Sequence, residues 1–172
     1  MIDDQLKTAA VGIILLVAVV NVSSYYLANR TVEPFSELGI LGPNQQIADY
    51  PTSVLTGQNF TLYLYVGNHE GQAEYYQVLT KLGNTSSVSN DNVSLSVPPI
   101  ASYGMVLRDN QTYLEPISLS ISSPGTNVRL IFELWIYEAN MTSFAYDHRQ
   151  NQIFINVTRS SILARTIEPR RS

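Results

Sequence analysis

An unbroken apolar run near the N-terminus constrains this chain more than any other feature of its sequence. Residues 9–20 read AAVGIILLVAVV, and the segment 8–28 around them contains 21 residues. At 1.5 Å per residue, a helix over that segment spans about 31 Å, which matches the hydrocarbon core of a bilayer. Tyr25 and Tyr26 stand near its end, where aromatic side chains suit the membrane–water interface. The sequence therefore predicts a transmembrane helix over residues 8–28.

Two other fates of this segment remain open from the sequence. The apolar run could be the core of a cleaved signal peptide, although the preceding residues, MIDDQLK, are acidic where such a peptide is basic. Lys7-Thr8-Ala9 could instead be the processing site of an archaeal pilin-like precursor, with the helix then buried in a filament. We favour a retained anchor that leaves residues 1–7 in the cytoplasm.

N-glycosylation sequons are far more frequent than chance predicts. Eight of the thirteen asparagines begin an Asn-x-Ser/Thr triplet, whereas 30 Ser and Thr among 172 residues would give about two. Asn21 lies inside the apolar segment and Asn29 lies close to its end, so neither is an expected acceptor. The remaining six are predicted to carry N-linked glycans: Asn59, Asn84, Asn92, Asn110, Asn140 and Asn156.

The sequons also predict the orientation of the chain. Lys7 and Arg30 place one basic residue on each side of the span, which is too little for the positive-inside rule. Glycan acceptors mark the surface of a secreted domain. We therefore expect residues 29–158 outside the cell, the N-terminus inside and membrane lipid around the helix.

The charge distribution excludes one class of partner. Residues 31–158 hold four basic residues against eleven acidic ones, and an acidic body has no electrostatic reason to bind nucleic acid. Residues 159–172 carry four arginines against one glutamate and form an Arg-bearing tail, which we expect to be a solvated terminus. The chain has no cysteine, which excludes a disulfide framework, a thiolate metal site and a cysteine nucleophile.

Alternating apolar and polar residues predict an all-β body. The period of two is strongest in FTLYLYV, residues 60–66, and in NVRLIFELWIY, residues 127–137. No segment beyond residue 28 predicts an amphipathic helix. About seven or eight short strands at this spacing predict an immunoglobulin-like β-sandwich, in which two sheets share one core. The other predicted strands are 74–82, 93–97, 117–121 and 153–157.

The alternation also assigns side chains to the two faces of each strand. One face should enter the core: Phe60, Leu62, Leu64, Val66, Val128, Leu130, Phe132, Leu134 and Ile136. The other face should point away from it: Thr61, Tyr63, Tyr65, Arg129, Ile131, Glu133, Trp135 and Tyr137.

Residues 33–71, EPFSELGILGPNQQIADYPTSVLTGQNFTLYLYVGNHEG, resemble the extracytoplasmic domain of an archaeal membrane-protein family called domain of unknown function 1616. Members of that family share a sequence pattern similar to P-F-T-E-x-x-x-L-G, followed by Y-P and then by a glycine before a strand that ends in N-x-E. The closing residues, Phe144-Ala-Tyr146 followed by QIFINVT, look like the family's final strand. The resemblance implies compartment and fold over residues 33–158, and it implies no activity. The matching positions are Pro34, Phe35, Glu37, Leu41, Gly42, Tyr50, Pro51, Gly57, Asn68 and Glu70.

Residues that could carry catalysis are scarce. His69 precedes Glu70 and Asp147 precedes His148, so a metal site would require the two segments to meet, and adjacent strand residues point to opposite faces. The chain has no G-x-S-x-G motif, no P-loop and no dinucleotide fingerprint. We predict no catalytic residue, no cofactor and no metal ligand, and therefore no enzyme. Asn68 and Glu70 are expected to hydrogen-bond turn amides.

These observations favour a structural or accessory subunit that docks beside other membrane or surface-layer proteins. Gly12, Asn21 and Ser24 are candidates for contact with a neighbouring helix, because small and polar residues promote helix association in membranes. One alternative is a pilin-like or adhesin filament subunit, whose β-domains would join by strand addition. The other is a glycan-binding module, for which the candidate side chains are Tyr63, Tyr65, Trp135 and Tyr137.

Overall fold

The computed structural model of this chain describes residues 2–28, 33–84, 86–87 and 92–159. Asn29 and most of the predicted tail lie outside these described residues. One helix and eight strands occupy the described part. In chain order they are α1 (Ile2–Ala28), β1 (Phe35–Leu41), β2 (Ser53–Leu55), β3 (Asn59–His69), β4 (Glu74–Gly83), β5 (Ala101–Leu107), β6 (Thr112–Ser120), β7 (Gly125–Glu138) and β8 (Ser143–Thr158).

The N-terminal unit, Met1–Glu33, contains helix α1. Within it, Leu6–Leu27 is long and apolar enough to be a candidate membrane span, and none of its side chains is buried. The helix begins at Ile2, so the predicted cytoplasmic N-terminus is helical and continues into the span. Asp3 and Asp4 lie in the first turn, where negative charge is favourable beside the helix dipole.

The second unit, Pro34–Ser172, contains the eight strands in two sheets. One sheet has three strands in the order β1-β3-β6, and the other has five in the order β2-β8-β7-β4-β5. Neighbouring strands are antiparallel except β2, which runs parallel to β8. The inner faces of both sheets supply one hydrophobic cluster. The unit is therefore an immunoglobulin-like β-sandwich, which confirms the predicted fold class.

The core follows the predicted alternation of β3 and β7. The inward positions at the strand centres are completely buried, whereas Phe60, Val128 and Ile136, near the strand ends, are partly buried against them. Strands β6 and β8 add apolar residues of the same period, so the two sheets pack through Val, Ile and Leu side chains. The completely buried residues of β3 and β7 on this face are Leu62, Leu64, Val66, Leu130, Phe132 and Leu134.

The strand predicted over residues 93–97 is wrong. Leu95 is buried, but Val93 and Val97 are exposed, and the segment contains no strand. The backbone groups of Leu95 are hydrogen-bonded to side chains, because its N–H donates to Glu133 and its carbonyl accepts from Lys81. A segment whose amide and carbonyl are satisfied by side chains has no need of a partner strand.

The same segment explains why the outer face of β7 is not fully exposed. Ile131 and Glu133 belong to the face predicted to point away from the core, and both are completely buried. Residues 94 and 95 lie against Glu133 and cover this part of the five-stranded sheet. Both residues lie on the predicted outer face, and the burial of Glu133 comes from the connection between β4 and β5, which packs on it.

Strands β1, β2 and β5 were not predicted from alternation. In β5, Gly104 and Ser102 interrupt the apolar pattern, and the strand forms through seven backbone pairs with β4. β1 contains Ser36, Glu37 and Gly39 and pairs with β3 along its whole length. A segment whose own sequence only weakly predicts a strand can thus form one by backbone pairing with a neighbour whose alternation is strong.

Candidate functional site

Asn68, Glu70 and Asp147 lie at one end of the sandwich. The turns β3–β4, β5–β6 and β7–β8 form this end, which we call the Asn68 end. Asn68 is completely buried, and its Nδ2 donates to the carbonyls of Gln72 (2.8 Å) and Leu107 (2.9 Å). Its Oδ1 accepts from the N–H of Glu70 at 2.9 Å. The predicted role of Asn68 is therefore confirmed: one amide ties the β3–β4 turn to the end of β5.

Glu70 has a different role from the predicted one. Its Oε1 accepts a hydrogen bond from the hydroxyl of Ser36 at 2.6 Å, and the Ser36 Oγ lies 2.9 Å from the Tyr76 hydroxyl. Because Ser36 gives its one proton to Glu70, Tyr76 is the donor to Ser36. The hydrogen-bonded chain Tyr76–Ser36–Glu70 thus connects β4 of one sheet with β1 of the other, and both hydroxyl residues in it are buried.

Burial and nearby carboxylates suppress ionisation in this network. Burial raises the pKa of Tyr76 to about 12, and the negative charges of Glu70, Glu74 and Asp147 add to that shift. Tyr76 is therefore a neutral donor at physiological pH. The buried hydroxyl of Ser36 is suited to joining the sheets, because its proton is already held by a carboxylate.

Asp147 faces Glu70 across a cleft at the Asn68 end. Burial raises the pKa of the Asp147 carboxyl, the Arg149 guanidinium 2.8 Å away lowers it, and the charge of Glu70 raises it again. The cleft has four carboxylates and an aromatic wall, and we call it the end cleft. Its lining residues are Glu70, Gln72, Ala73, Glu74, Tyr75, Ile136, Tyr137, Glu138, Ala139, Asn140 and Asp147.

The two histidines do not join this cleft. His69 stacks on Phe35 with ring centroids 4.6 Å apart, and its Nδ1 lies 3.1 Å from Oδ1 of Asn110. His148 lies against the ring of Tyr146, 5.4 Å between centroids. Within the described residues, no group of three or more His, Cys, Asp or Glu side chains is arranged to hold a metal ion.

A row of aromatic side chains, exposed at two positions and half-buried at Phe144, borders the end cleft. Tyr75, Tyr137 and Phe144 lie on adjacent strands β4, β7 and β8, on the outer face of the five-stranded sheet, and we call them the aromatic row. Ring centroids are 6.2 Å apart for Tyr75–Tyr137, 4.9 Å for Tyr75–Phe144 and 5.5 Å for Tyr137–Phe144. Val106, on β5, extends the same surface and is 67% exposed.

The four aromatics proposed for glycan binding do not form one surface. Tyr63 and Tyr65 lie on the outer face of the three-stranded sheet, where the Tyr65 hydroxyl donates to Glu37 at 2.6 Å. Trp135 and Tyr137 lie on the outer face of the opposite sheet. Sequence reasoning missed Tyr75 and Phe144, which join Tyr137, because cross-strand neighbours become visible only once the strand pairing is known.

A buried ion pair fastens the β4–β5 connection to the sheet. The Lys81 Nζ lies 2.8 Å from Oε2 of Glu133, with side chains 5% and 0% exposed. Glu133 also accepts from the Leu95 N–H at 2.6 Å and the Ser94 hydroxyl at 2.7 Å. Lys81 donates to Ser94 and to the Leu95 carbonyl, both at 2.8 Å, and lies 5.4 Å from the centre of the Trp135 ring. Both charges are thus surrounded by partners, as burial requires.

All six asparagines predicted to be glycosylated have exposed side chains, and they differ in local bonding. The amides of Asn59 and Asn140 have no hydrogen-bond partner among the described residues, whereas Asn84, Asn110 and Asn156 bond to neighbouring groups. The acceptors are spread over both sheets and both ends of the sandwich. Their positions are Asn59 in β3, Asn84 after β4, Asn92 before β5, Asn110 between β5 and β6, Asn140 between β7 and β8, and Asn156 in β8.

The three predicted interaction residues of α1 do not share one helix face. At about 100° per residue, Gly12 lies roughly opposite Asn21, whereas Ser24 lies about 60° from Asn21. The Nδ2 of Asn21 donates to the carbonyl of Val17 at 2.7 Å, which satisfies part of its polarity inside the helix. A single neighbouring helix would therefore contact either the Gly12 side or the side with Asn21 and Ser24.

Comparison with known proteins gives one family match. The family described as Domain of unknown function (DUF1616) matches residues 29–154, which covers the sandwich up to the last residues of β8. No curated protein sequence matches the chain.

Several solved structures share part of the architecture at low identity. The CARDB domain of the PF1109 protein from Pyrococcus furiosus, in complex with di-metal ions, is 13% identical, with a TM-score of 0.47 over 76% of this chain and 100% of that chain. A β-glucosidase from Listeria innocua in complex with glucose is 11% identical, with a TM-score of 0.44 over 73% of this chain and 16% of that chain. A chain in a human seminal-plasma complex of zinc 2-glycoprotein and prolactin-inducible protein is 9% identical, with a TM-score of 0.42 over 77% of this chain and 99% of that chain.

Proposed function

Since this chain belongs to the family described as domain of unknown function (DUF1616), whose description assigns no activity, we propose a function from its own residues. It is a non-catalytic, membrane-anchored and N-glycosylated β-domain outside the cytoplasm. It acts as a structural or accessory subunit of a membrane or cell-surface assembly, together with other membrane or surface-layer proteins.

The exposed sequon asparagines are the observation that carries this proposal. All six lie at the surface of the sandwich, although nothing about folding alone requires an Asn-x-Ser/Thr triplet at each of them. An N-linked glycan is bulky and hydrophilic, so it is tolerated only where the asparagine faces solvent. The surface positions support an extracytoplasmic sandwich whose glycans leave the core intact.

The candidate span supports the anchor. Leu6–Leu27 presents apolar side chains all around the helix and buries none of them within its own chain. A helix that is apolar on every side is stable in lipid or among other helices. The retained helix would hold the β-domain at the membrane, with residues 1–7 on the cytoplasmic side.

The Asn68 end supports a structural role for the β-domain. Its most buried polar groups, Asn68, Ser36 and Tyr76, are used to join turns and sheets. Hydrogen bonds that are already made inside the protein leave these groups unable to bind or polarise a substrate. The absence of an enzymatic activity remains a prediction, and the network is what we would expect of a rigid docking module.

The proposal predicts that the helix takes part in assembly. Replacing residues 9–24 with a Leu/Ala stretch of equal length, with Lys7, Tyr25 and Tyr26 retained, should remove partners that co-purify with the tagged full chain in mild detergent. Individual changes should be smaller: Gly12→Leu or Asn21→Leu should weaken association about 3–30-fold, since interhelical contacts contribute about 0.6–2 kcal/mol.

The matched control is Val20→Leu, which keeps the segment apolar and should leave the co-purifying set unchanged. Mass spectrometry of the purified protein also tests the pilin-like alternative, because that alternative requires a mature N-terminus after Thr8. If the complex survives the exchange of residues 9–24, the helix is only a tether and the association lies in the β-domain.

A further inference from the structure

Asn140 and the aromatic row meet at one surface. Asn140 lies in the turn between β7 and β8, three residues after Tyr137 and four before Phe144. Asn140, Tyr137 and Tyr75 all line the end cleft, so a group attached to the Asn140 amide would begin beside the rings. The Asn140 side chain is exposed, and no hydrogen bond within the described residues holds its amide.

The rings of the aromatic row are packed against each other but remain open on their outer side. Tyr75 is 44% exposed and Tyr137 is 36% exposed, and Val106 continues the apolar surface along β5. The ring contacts among Tyr75, Tyr137 and Phe144 fix the orientation of the row, so it requires little further ordering when it is covered. A contiguous, preorganised apolar patch of this kind marks a contact surface.

The chemistry of the cleft fits a sugar. Pyranose rings present C–H groups on one face, and these carry partial positive charge that is attracted to the negative face of an aromatic ring. Around the row, Gln72, Glu74 and Glu138 offer amide and carboxylate groups to sugar hydroxyls. These acidic groups disfavour anionic ligands, whereas neutral sugars can accept or donate hydrogen bonds there.

We propose that the first sugar rings of an N-linked glycan on Asn140 stack on the aromatic row and occupy the end cleft. The glycan is then a structural part of the β-domain that covers apolar surface the chain leaves open. This inference rests on the proposed function, because it requires the β-domain to be exposed to the glycosylation machinery. The occupant is the chain's own glycan and not a sugar from another molecule.

The test compares thermal unfolding of the full chain in detergent with and without the Asn140 sequon. The protein is produced in a glycosylating host as wild type, Asn140→Gln, Thr142→Ala and the sequon-preserving Thr142→Ser, with occupancy read by glycopeptide mapping. Loss of the glycan through either Asn140→Gln or Thr142→Ala should lower Tm by about 2–6 °C, whereas Thr142→Ser should not. In protein made without N-glycosylation, wild type and Asn140→Gln should melt at the same temperature.

Two controls isolate the contact with the aromatic row. Asn59 is a second exposed sequon with an unbonded amide at the opposite end of the sandwich, so Asn59→Gln should change Tm by less than half as much. The difference in Tm between protein with and without the Asn140 glycan should fall by at least half in a Tyr137→Ser background, and separately in a Tyr75→Ser background. The second background keeps the test usable if the first variant folds poorly.

Several results would overturn the inference. If Asn140 carries no glycan while other sequons are occupied, this inference is overturned and the proposed function is not. If none of the six asparagines carries a glycan, the proposed glycosylated topology is overturned as well. An occupied Asn140 whose removal leaves Tm unchanged, or whose effect survives both tyrosine changes, also overturns it. Tight binding of a soluble oligosaccharide to the unglycosylated protein would assign the row to an external glycan.

Discussion

Replacing Glu133 with glutamine should lower the free energy of unfolding by about 3–5 kcal/mol, a large part of the stability of an ordinary domain. The change keeps the shape of the side chain and removes its charge. Lys81 would then remain buried without its counter-ion, 5% exposed and with its Nζ already committed to the Ser94 hydroxyl and the Leu95 carbonyl. Most of the loss comes from this uncompensated charge.

The measurement is equilibrium unfolding in denaturant, followed by circular dichroism. Fluorescence is unsuitable because Trp135 contacts Glu133, so its emission would change with the substitution itself as well as with unfolding. The double variant Lys81→Met/Glu133→Leu should be less destabilised than either single change, since an apolar pair requires no desolvation of charge. The matched control is Glu115→Gln, whose side chain is exposed in β6, and it should change stability by no more than about 0.5 kcal/mol. A Glu133→Gln protein as stable as the control would show that the ion pair has no role in holding the β4–β5 connection.

Phe132→Ala should cost a similar amount, about 3–5 kcal/mol, for a different physical reason. Phe132 is completely buried in the middle of β7, opposite Thr80 of β4 and Asn151 of β8, and its ring fills the centre of the core. Truncation removes the transfer free energy of the ring and leaves a cavity that packed neighbours cannot close. The midpoint of thermal or denaturant unfolding measures the loss.

The control is Thr61→Ala, on the exposed face of β3, which should have a far smaller effect. Because Thr61 completes the Asn59 sequon, both variants are compared in protein produced without N-glycosylation. Equal shifts for the two variants would contradict the inside–outside assignment of the strands.

Much of the β-sandwich could be predicted because burial on one face imposes a period of two on the sequence. The alternation in β3 and β7 identified the core residues Leu64 and Phe132 directly. The same alternation failed at residues 93–97, since it cannot show that Lys81 and Glu133 satisfy the backbone of Leu95. Local pattern predicts which face is apolar and leaves the choice of partner to distant residues.

The polar site was less predictable for the same reason. Asn68 could be identified because its hydrogen bond to the Glu70 N–H lies within one turn. Ser36 is separated from Glu70 by 34 residues and from Tyr76 by 40 residues in the sequence, so no local motif predicts these contacts. The aromatic row likewise depends on the register of three strands, which becomes known only from the fold.

Orientation across the membrane is the central claim, and the absence of cysteine allows a direct measurement of it. Asp3→Cys places one thiol in the first turn of α1, and Ser118→Cys places one on the exposed face of β6. Each variant is treated with a membrane-impermeant maleimide in intact cells and after lysis. We expect Ser118→Cys to be labelled equally in both, and Asp3→Cys to be labelled only after lysis. Labelling of Asp3→Cys in intact cells, with Ser118→Cys protected until lysis, would contradict an anchored β-domain outside the cytoplasm.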